Sequence, residues 1–268
     1  MVWSKRAPGV VLTAAIGALF LAPLGYLIIR NAGNARLLEI LFSERALAPL
    51  LRTLGLAFGT ALFAGLIGTV AAWLVSRTDL PARRFWALLL ALPLVMPSFI
   101  AAFAFIAAFS PGGVMEETFG IPGFSVTGFW GALAVLSLLT YPYVLLPVAA
   151  RLRQLPRSLE ESARLLGASP VTVFRSVVLP QIVPAIAAGC LLVFLYVVGD
   201  FGAVVLLRVE TLTQGIFSNR LIDPEISLAL GLLLAVVALV MITILVFTLG
   251  SVVFDMGGPF PEWAVAGS

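Results

Sequence analysis

Few side chains in this sequence have types and spacing suited to chemistry. There is no histidine, and the one cysteine, Cys190, sits inside an apolar run where it reads as a small buried hydrophobe. Disulfide frameworks, thiolate zinc sites and histidine relays are therefore excluded within one chain. No Gly-x-Ser-x-Gly elbow occurs, and the only lysine is Lys5, so no phosphate loop ending in Gly-Lys-Ser/Thr is present. Two places remain. Asp200 is an isolated acid in an apolar stretch, and Glu160, Glu161 and Arg164 gather in a polar break. The four-residue spacing of Glu160 and Arg164 favours a surface ion pair on a helix.

The elements that would position these residues follow from composition. With 61% hydrophobic and 11% charged residues, water is not the main solvent of this chain. Six long intervals lack charge, between Arg6 and Arg30, Arg52 and Arg77, Arg84 and Glu116, Glu117 and Arg151, Arg175 and Asp200, and Glu225 and Asp255. Each is long enough for the roughly 20 helical residues that cross a bilayer core. The fifth can extend past Asp200 to Leu207. No period-two alternation supports a barrel, so the expected fold is an all-α integral membrane protein of six transmembrane helices. The first interval is too long for a secretory signal and reads as an uncleaved anchor.

Placing the N-terminus inside leaves ten basic residues on cytoplasmic segments against six outside, which agrees with the positive-inside rule. Both termini and residues 151–181 are then expected in the cytoplasm, with Glu116 and Asp223 external. Basic residues in such short breaks face lipid headgroups rather than nucleic acid. The second span carries two small-residue series, Ala57, Ala61, Gly65, Thr69 and Ala64, Gly68, Ala72, that allow close helix approach. Pro93 and Pro97 in the third span, and Pro142 and Pro147 in the fourth, predict bends or irregular backbone.

Asp200 has two readings. If the fifth span starts near Pro184, Asp200 lies about 24 Å along it, close to the outer interface. There it either bonds nearby amides or pairs with Arg208, or it lines a substrate path with Gly199 and Gly202 opening space beside it.

Residues 151–184, RLRQLPRSLEESARLLGASPVTVFRSVVLPQIVP, are too long for a turn. Ser158 and Glu161 fit a capping box, Leu159, Ala163 and Leu166 share a helical face, and Gly167 stands where a left-handed residue commonly ends a helix. Ser169 and Pro170 then supply the cap and first position of a second helix, expected to stop at Pro180 before Pro184 opens the fifth span. The expectation is helix, sharp corner, helix at the cytoplasmic surface.

This segment resembles the EAA loop of binding-protein-dependent ABC permeases, whose pattern is Glu-Ala-Ala, three residues, Gly, nine residues, Ile-x-Leu-Pro. Glu161, Ser162, Ala163, Gly167, Val177, Leu179 and Pro180 fall at those spacings, with serine and valine as mild replacements. The resemblance implies that these residues, with Glu160, form a coupling helix that docks on a separate ATP-binding subunit. ATP and magnesium would then be bound by that subunit, and this chain, itself not an enzyme, would need no cofactor.

A second resemblance lies in LPLVMPSFIAAFAF (92–105), PGG (111–113), GDFGAVVLL (199–207) and TLTQGIF (211–217), which look like permeases for iron(III), with thiamine, polyamine, phosphonate and molybdate or sulfate permeases as relatives. It implies a bacterial inner-membrane importer subunit, with a permease domain over residues 49–250, an N-terminal helix and external connector over 1–48 and a tail over 251–268. Its implied partners are a solute-binding protein and a second permease unit, because such iron permeases often hold two six-span units in one polypeptide and this sequence holds one. The competing class is a secondary transporter or channel, which usually shows intramembrane charges or inverted repeats. One acid cannot by itself select iron.

Overall fold

The computed structural model describes residues 7–165 and 167–256, apart from the side chains at 7–14, 20, 157, 159 and 249–256. The helices are α1 (Ala7–Ala32), α2 (Leu37–Leu41), α3 (Glu44–Arg77), α4 (Arg83–Leu89), α5 (Ser98–Phe109), α6 (Val114–Phe119), α7 (Phe129–Thr140) and α8 (Pro142–Gln154). They continue with α9 (Arg157–Leu165), α10 (Pro170–Val173), α11 (Leu179–Gly199), α12 (Gly202–Leu206), α13 (Leu212–Asn219) and α14 (Pro224–Met256). No strand occurs among the described residues.

Five helical stretches among the described residues are long and apolar enough to cross a membrane: Glu44–Arg77, Ser98–Phe119, Phe129–Gln154, Pro170–Gly199 and Pro224–Thr248. The first expected span is α1, 26 residues of helix whose early side chains lie outside the described set. The expected Lys5 and Arg6 flank and the 257–268 part of the tail also lie outside the described residues.

The core is the packing of α3, α8 and α11 on one another. Its chemistry is that of small residues. Ala57, Ala61, Ala64 and Ala72 on α3 are buried, as the small-residue series predicts. A Cβ added to Gly68 would lie 2.6 Å from the Tyr141 carbonyl, and one added to Gly189 on α11 would lie 2.7 Å from Val144 Cα. Both helices therefore meet the start of α8 backbone to backbone. Around this centre the helices turn Phe58, Leu62, Leu66, Phe99, Phe103, Val246 and Phe247 outward, as a bilayer solvent permits and water does not.

The prolines act as expected in the third span. Leu92–Val95 is a 3₁₀ turn that starts with Pro93 near its head, and Pro97 caps α5, so this crossing is broken into α4, the turn and α5. Pro142 opens α8 directly after Tyr141, and Pro147 lies within α8.

Two boundaries differ from the sequence expectation. Helix α11 ends at Gly199, and Asp200 has extended backbone at φ −68°, ψ 134°, so the fifth span does not continue to Leu207. The carboxylate does better as a cap than as a mid-helix charge. Pro180 also fails to stop its helix. Residues Phe174–Val178 form a π turn that leads directly into Leu179 and Pro180 at the start of α11. Widening the preceding turn relieves the clash that the proline ring would make with the carbonyl four residues back. Gln181 Nε2 donates to the Val177 carbonyl at 2.8 Å within the same stretch.

Candidate functional site

At one end of the bundle, residues 157–178 fold back as a knob. Helix α9 ends at Gly167 in a complete Schellman corner: Gly167 N–H donates to the Arg164 carbonyl at 2.9 Å, and Ala168 N–H to the Ala163 carbonyl at 3.1 Å. Gly167 has φ +84°, in the left-handed region that glycine enters without steric cost. Ser169 then caps α10, its hydroxyl accepting from Thr172 N–H at 3.2 Å, with Pro170 at the first helical position. The helix–corner–helix reading of the sequence is thus the observed backbone.

Three of its details differ. Helix α9 begins at Arg157, one residue before Ser158, so Ser158 stands inside the first turn rather than ahead of it as a cap. Pro156, which cannot continue the preceding helix, sets that start. Glu160 does not pair with Arg164. It turns inward to Arg77 at the end of α3, Nη1 to Oε1 3.3 Å, with side chains 6% and 13% exposed. A shielded partner outcompetes a solvated one, where screening leaves a surface pair little gain. Of the expected apolar face, Ala163 is half-buried, whereas Leu166 and the Leu159 side chain lie outside the described residues.

Arg77 also donates through Nη2 to the Leu152 and Leu155 carbonyls at 2.7 and 3.0 Å, where the chain leaves α8. A ring contact reinforces this tie, Trp73 on α3 meeting Phe174 edge to face at 5.0 Å. Arg151 Nε donates to the Gln181 carbonyl at 3.2 Å, joining α8 to α11. The knob is therefore fastened to three bundle helices. Val173 and Val178 are buried in this seam, Val177 and Leu179 are half-buried, and Pro180 is exposed.

The outward surface of the knob is different in kind. Glu161, Ser162, Arg164 and Gly167 are exposed, and so are two large apolar side chains on either side of the corner, Leu165 at 89% and Val171 at 61%. A charged cavity of about 170 Å³ lies beside them, lined by Arg77, Asp79, Glu160, Glu161 and Arg164. The spacing pattern did not single out Arg77, Leu165 or Val171. Leu165 stands one residue off the expected apolar face, and its exposure was the available signal.

Asp200 lies elsewhere and works as a cap. It is buried, and its Oδ2 accepts from Ala203 and Val204 N–H at 3.0 and 3.3 Å, satisfying the first amides of α12. Its backbone carbonyl accepts from the Thr213 hydroxyl at 2.7 Å. Gly202 does not open space beside it: a Cβ there would lie 3.0 Å from Phe99 Cβ and 3.1 Å from Ser98 Oγ, so this glycine lets α12 pack tightly on α5. Gly199 is exposed with no neighbour in the way of a Cβ. The structure thus brings Glu160, Glu161, Ser162, Ala163 and Gly167 together in one knob, and Gly199, Asp200 and Gly202 together in a separate corner.

Broken apolar crossings around a small-residue core, with a helix–corner–helix knob at one end, define a multi-pass membrane protein. The sequence matches the model of the binding-protein-dependent transport system inner membrane component over residues 64–256, and the chain belongs to that family. It is 34% identical over 206 residues to the Fe(3+)-transport system permease protein FbpB 2 of Haemophilus influenzae, covering 76% of this chain and 38% of that relative. It therefore spans well under half the length of that protein. It is 31% identical over 211 residues to the sulfate transport system permease protein CysT of Salmonella typhimurium, covering 75% of this chain and 76% of the relative. A third relative, the molybdenum transport system permease protein ModB of Mycobacterium bovis, is 30% identical over 238 residues, covering 85% of this chain and 89% of its own. In fold, the chain is similar to the crystal structure of a bacterial alginate ABC transporter in complex with an alginate pentasaccharide-bound periplasmic protein, with TM-score 0.67 at 17% identity, covering 92% of this chain and 95% of that one.

Proposed function

We propose that this chain is the membrane-spanning permease subunit of an ABC importer, forming part of a translocation path and transmitting to it the movements of a separate ATP-binding subunit. The observation that carries the reading is the knob. It is rigid at its corner, fastened to α3, α8 and α11, and crowned by Leu165 and Val171 exposed beside Gly167. Exposed apolar side chains on a polar, fixed protrusion suit docking into a partner's groove, and a rigid protrusion transmits displacement that a loop would absorb. Glu161 and Ser162 sit on the same outward surface, whereas Glu160 faces inward and acts within the chain.

In this reading the knob is cytoplasmic, the ATPase holds ATP and magnesium, and a solute-binding protein delivers substrate on the opposite side of the bacterial inner membrane. A second permease unit, a copy of this chain or another, completes the path. The substrate we place first is iron(III), on the 34% identity to the Haemophilus permease; the sulfate and molybdenum permeases at 31% and 30% identity make an oxyanion the second reading. Co-purification from native membranes, followed by ATP turnover with ferric or sulfate-loaded binding protein, tests this. A bound ATP-binding subunit stimulated by one of the loaded proteins is expected; transport by the purified chain alone would refute the reading.

A further inference from the structure

Arg77 is a poor fit to the usual role of an arginine at a helix end. Its side chain is 6% exposed, and its guanidinium spans two elements: Nη1 lies 3.3 Å from Glu160 on α9, and Nη2 donates to two carbonyls at the exit of α8. Nη1 meets Glu160 as an ion pair, with Arg77 Nε and Glu160 Oε1 making no hydrogen bond; arginine's planar fork spans the two elements where a lysine's point charge does not. Asp79, Glu161 and Arg164 line the same cavity. Arg164 stands four residues from Glu160, within reach of its carboxylate if Arg77 were lost.

From this arrangement we infer that Arg77 is a positioning residue, the clamp that fixes the angle of the α9 knob to α3, so that force enters the bundle through α3 as well as along the chain through α8 and α11. The inference rests on the docking role given to the knob above. The covalent path runs through the Leu155–Pro156 joint on one side and the Gly167 corner on the other, neither of them α-helical. Without a side bond, each bend offers rotation. With Arg77 and the Trp73–Phe174 ring contact in place, the knob and the end of α3 form one body. A buried ion pair of this kind contributes geometry more than net stability.

The test uses the full chain in lipid nanodiscs and in the assembled transporter. With Cys190→Ser as background, spin labels at Leu74→Cys on α3 and Leu165→Cys on α9 report the distance between the two elements. A narrow distribution is expected with Arg77, a broadened or shifted one with Arg77→Gln, and an intermediate one with Arg77→Lys. The Arg77→Gln/Glu160→Gln double variant should be no worse than Arg77→Gln alone, because it leaves no uncompensated buried carboxylate. In proteoliposomes with the ATP-binding subunit and binding protein, supplied with radiolabelled ferric iron or in a parallel arm sulfate, Arg77→Gln should lower transport per ATP hydrolysed about tenfold at matched protein levels. A mere folding role would lower the amount of protein and leave that ratio unchanged. An unaltered distance distribution and ratio in Arg77→Gln would overturn the clamp. Failure of the wild-type chain to retain any ATP-binding subunit would instead overturn the permease reading, while the distance measurement still decides whether Arg77 fixes the knob.

Discussion

Among the described residues the same backbone corner occurs twice, in different surroundings. After α9, Gly167 and Ala168 donate to Arg164 and Ala163; after α12, Arg208 and Val209 donate to Val205 and Val204 at 3.1 and 2.8 Å, again one amide reaching back three residues and the next reaching back five. The left-handed position is glycine in the first and arginine in the second, with φ +84° and +58°. The difference follows from what surrounds each corner. Around Gly167 nothing lies within 4 Å of where a Cβ would be, so no packing forces the conformation and the residue must accept it freely. Arg208 is itself exposed, but its chain neighbours Leu207 and Val209 are buried, and the Leu207 carbonyl accepts from Gly128 N–H at 2.6 Å. The neighbours hold Arg208 in a conformation it disfavours, as over-determined surroundings can. A corner with open space depends on its own residue; one with buried flanks depends on its neighbours.

The largest way to break this comparison is at the Gly167 corner. Gly167→Val should cost about 1–2 kcal/mol in the backbone alone, since no atom obstructs the side chain. The relief is to bend, which on the proposed docking role would separate Leu165 from Val171. Transport in vesicles should fall nearly to background while the chain reaches the membrane in normal amounts. Glu161→Lys, which reverses a charge on the same outward surface, should weaken ATP-binding-subunit association and leave membrane levels normal. Full transport by Gly167→Val would separate the corner from function.

The other end of α12, where buried Asp200 caps the helix that leads to the Arg208 corner, should respond in stability first. Asp200→Ala leaves two amides of α12 without their acceptor in an apolar setting, a cost of about 1–3 kcal/mol. Its thermal midpoint in detergent should drop, and Asp200→Asn, which keeps one acceptor oxygen, should recover part of the loss. An unchanged midpoint in Asp200→Ala combined with lost transport would revive the substrate-path reading of this acid.

Much of this was legible in the sequence, for reasons that sort by range. Gly167, Ser169 and Pro170 act within four residues of themselves, so their spacing sufficed for the corner and the second cap. The alanine and glycine series on α3 announced close packing because membrane helices have few other ways to attract. Of the residues misplaced, some had distant partners, whereas Ser158 and Pro180 missed locally because Pro156 and a π turn shifted the helix boundaries. Glu160 had a near arginine at helical spacing and a far one at Arg77, and only the fold shows that the far one is buried beside it. Pro180 looked like a stop because the π turn that accommodates it has no sequence signature. Gly202 looked like open space because a glycine needed for contact with Phe99 and one lining a void are spelled alike.

The smallest expected effect sharpens the comparison most, because both corners share a left-handed position and differ in whether glycine already occupies it. At Arg208, replacement by glycine removes a left-handed strain of about 1–2 kcal/mol and adds the entropy glycine loses on folding, about 0.4–1 kcal/mol, which leaves a net gain of about 0.5 kcal/mol. Alanine shares arginine's left-handed cost, so Arg208→Ala should be nearly neutral. At Gly167 the order is the same, with glycine already in place: alanine is the worse residue, by about 1 kcal/mol, because nothing there compensates its strain. The four proteins needed are the parent, Arg208→Gly, Arg208→Ala and Gly167→Ala, compared by thermal midpoint in one detergent, where half a kcal/mol corresponds to about 1–2 °C. Arg208→Gly should melt above the parent and Gly167→Ala below it. If Arg208→Gly and Arg208→Ala both melt below the parent, the arginine is held by contacts of its own rather than by its neighbours, and this corner would depend on its residue just as the one at Gly167 does.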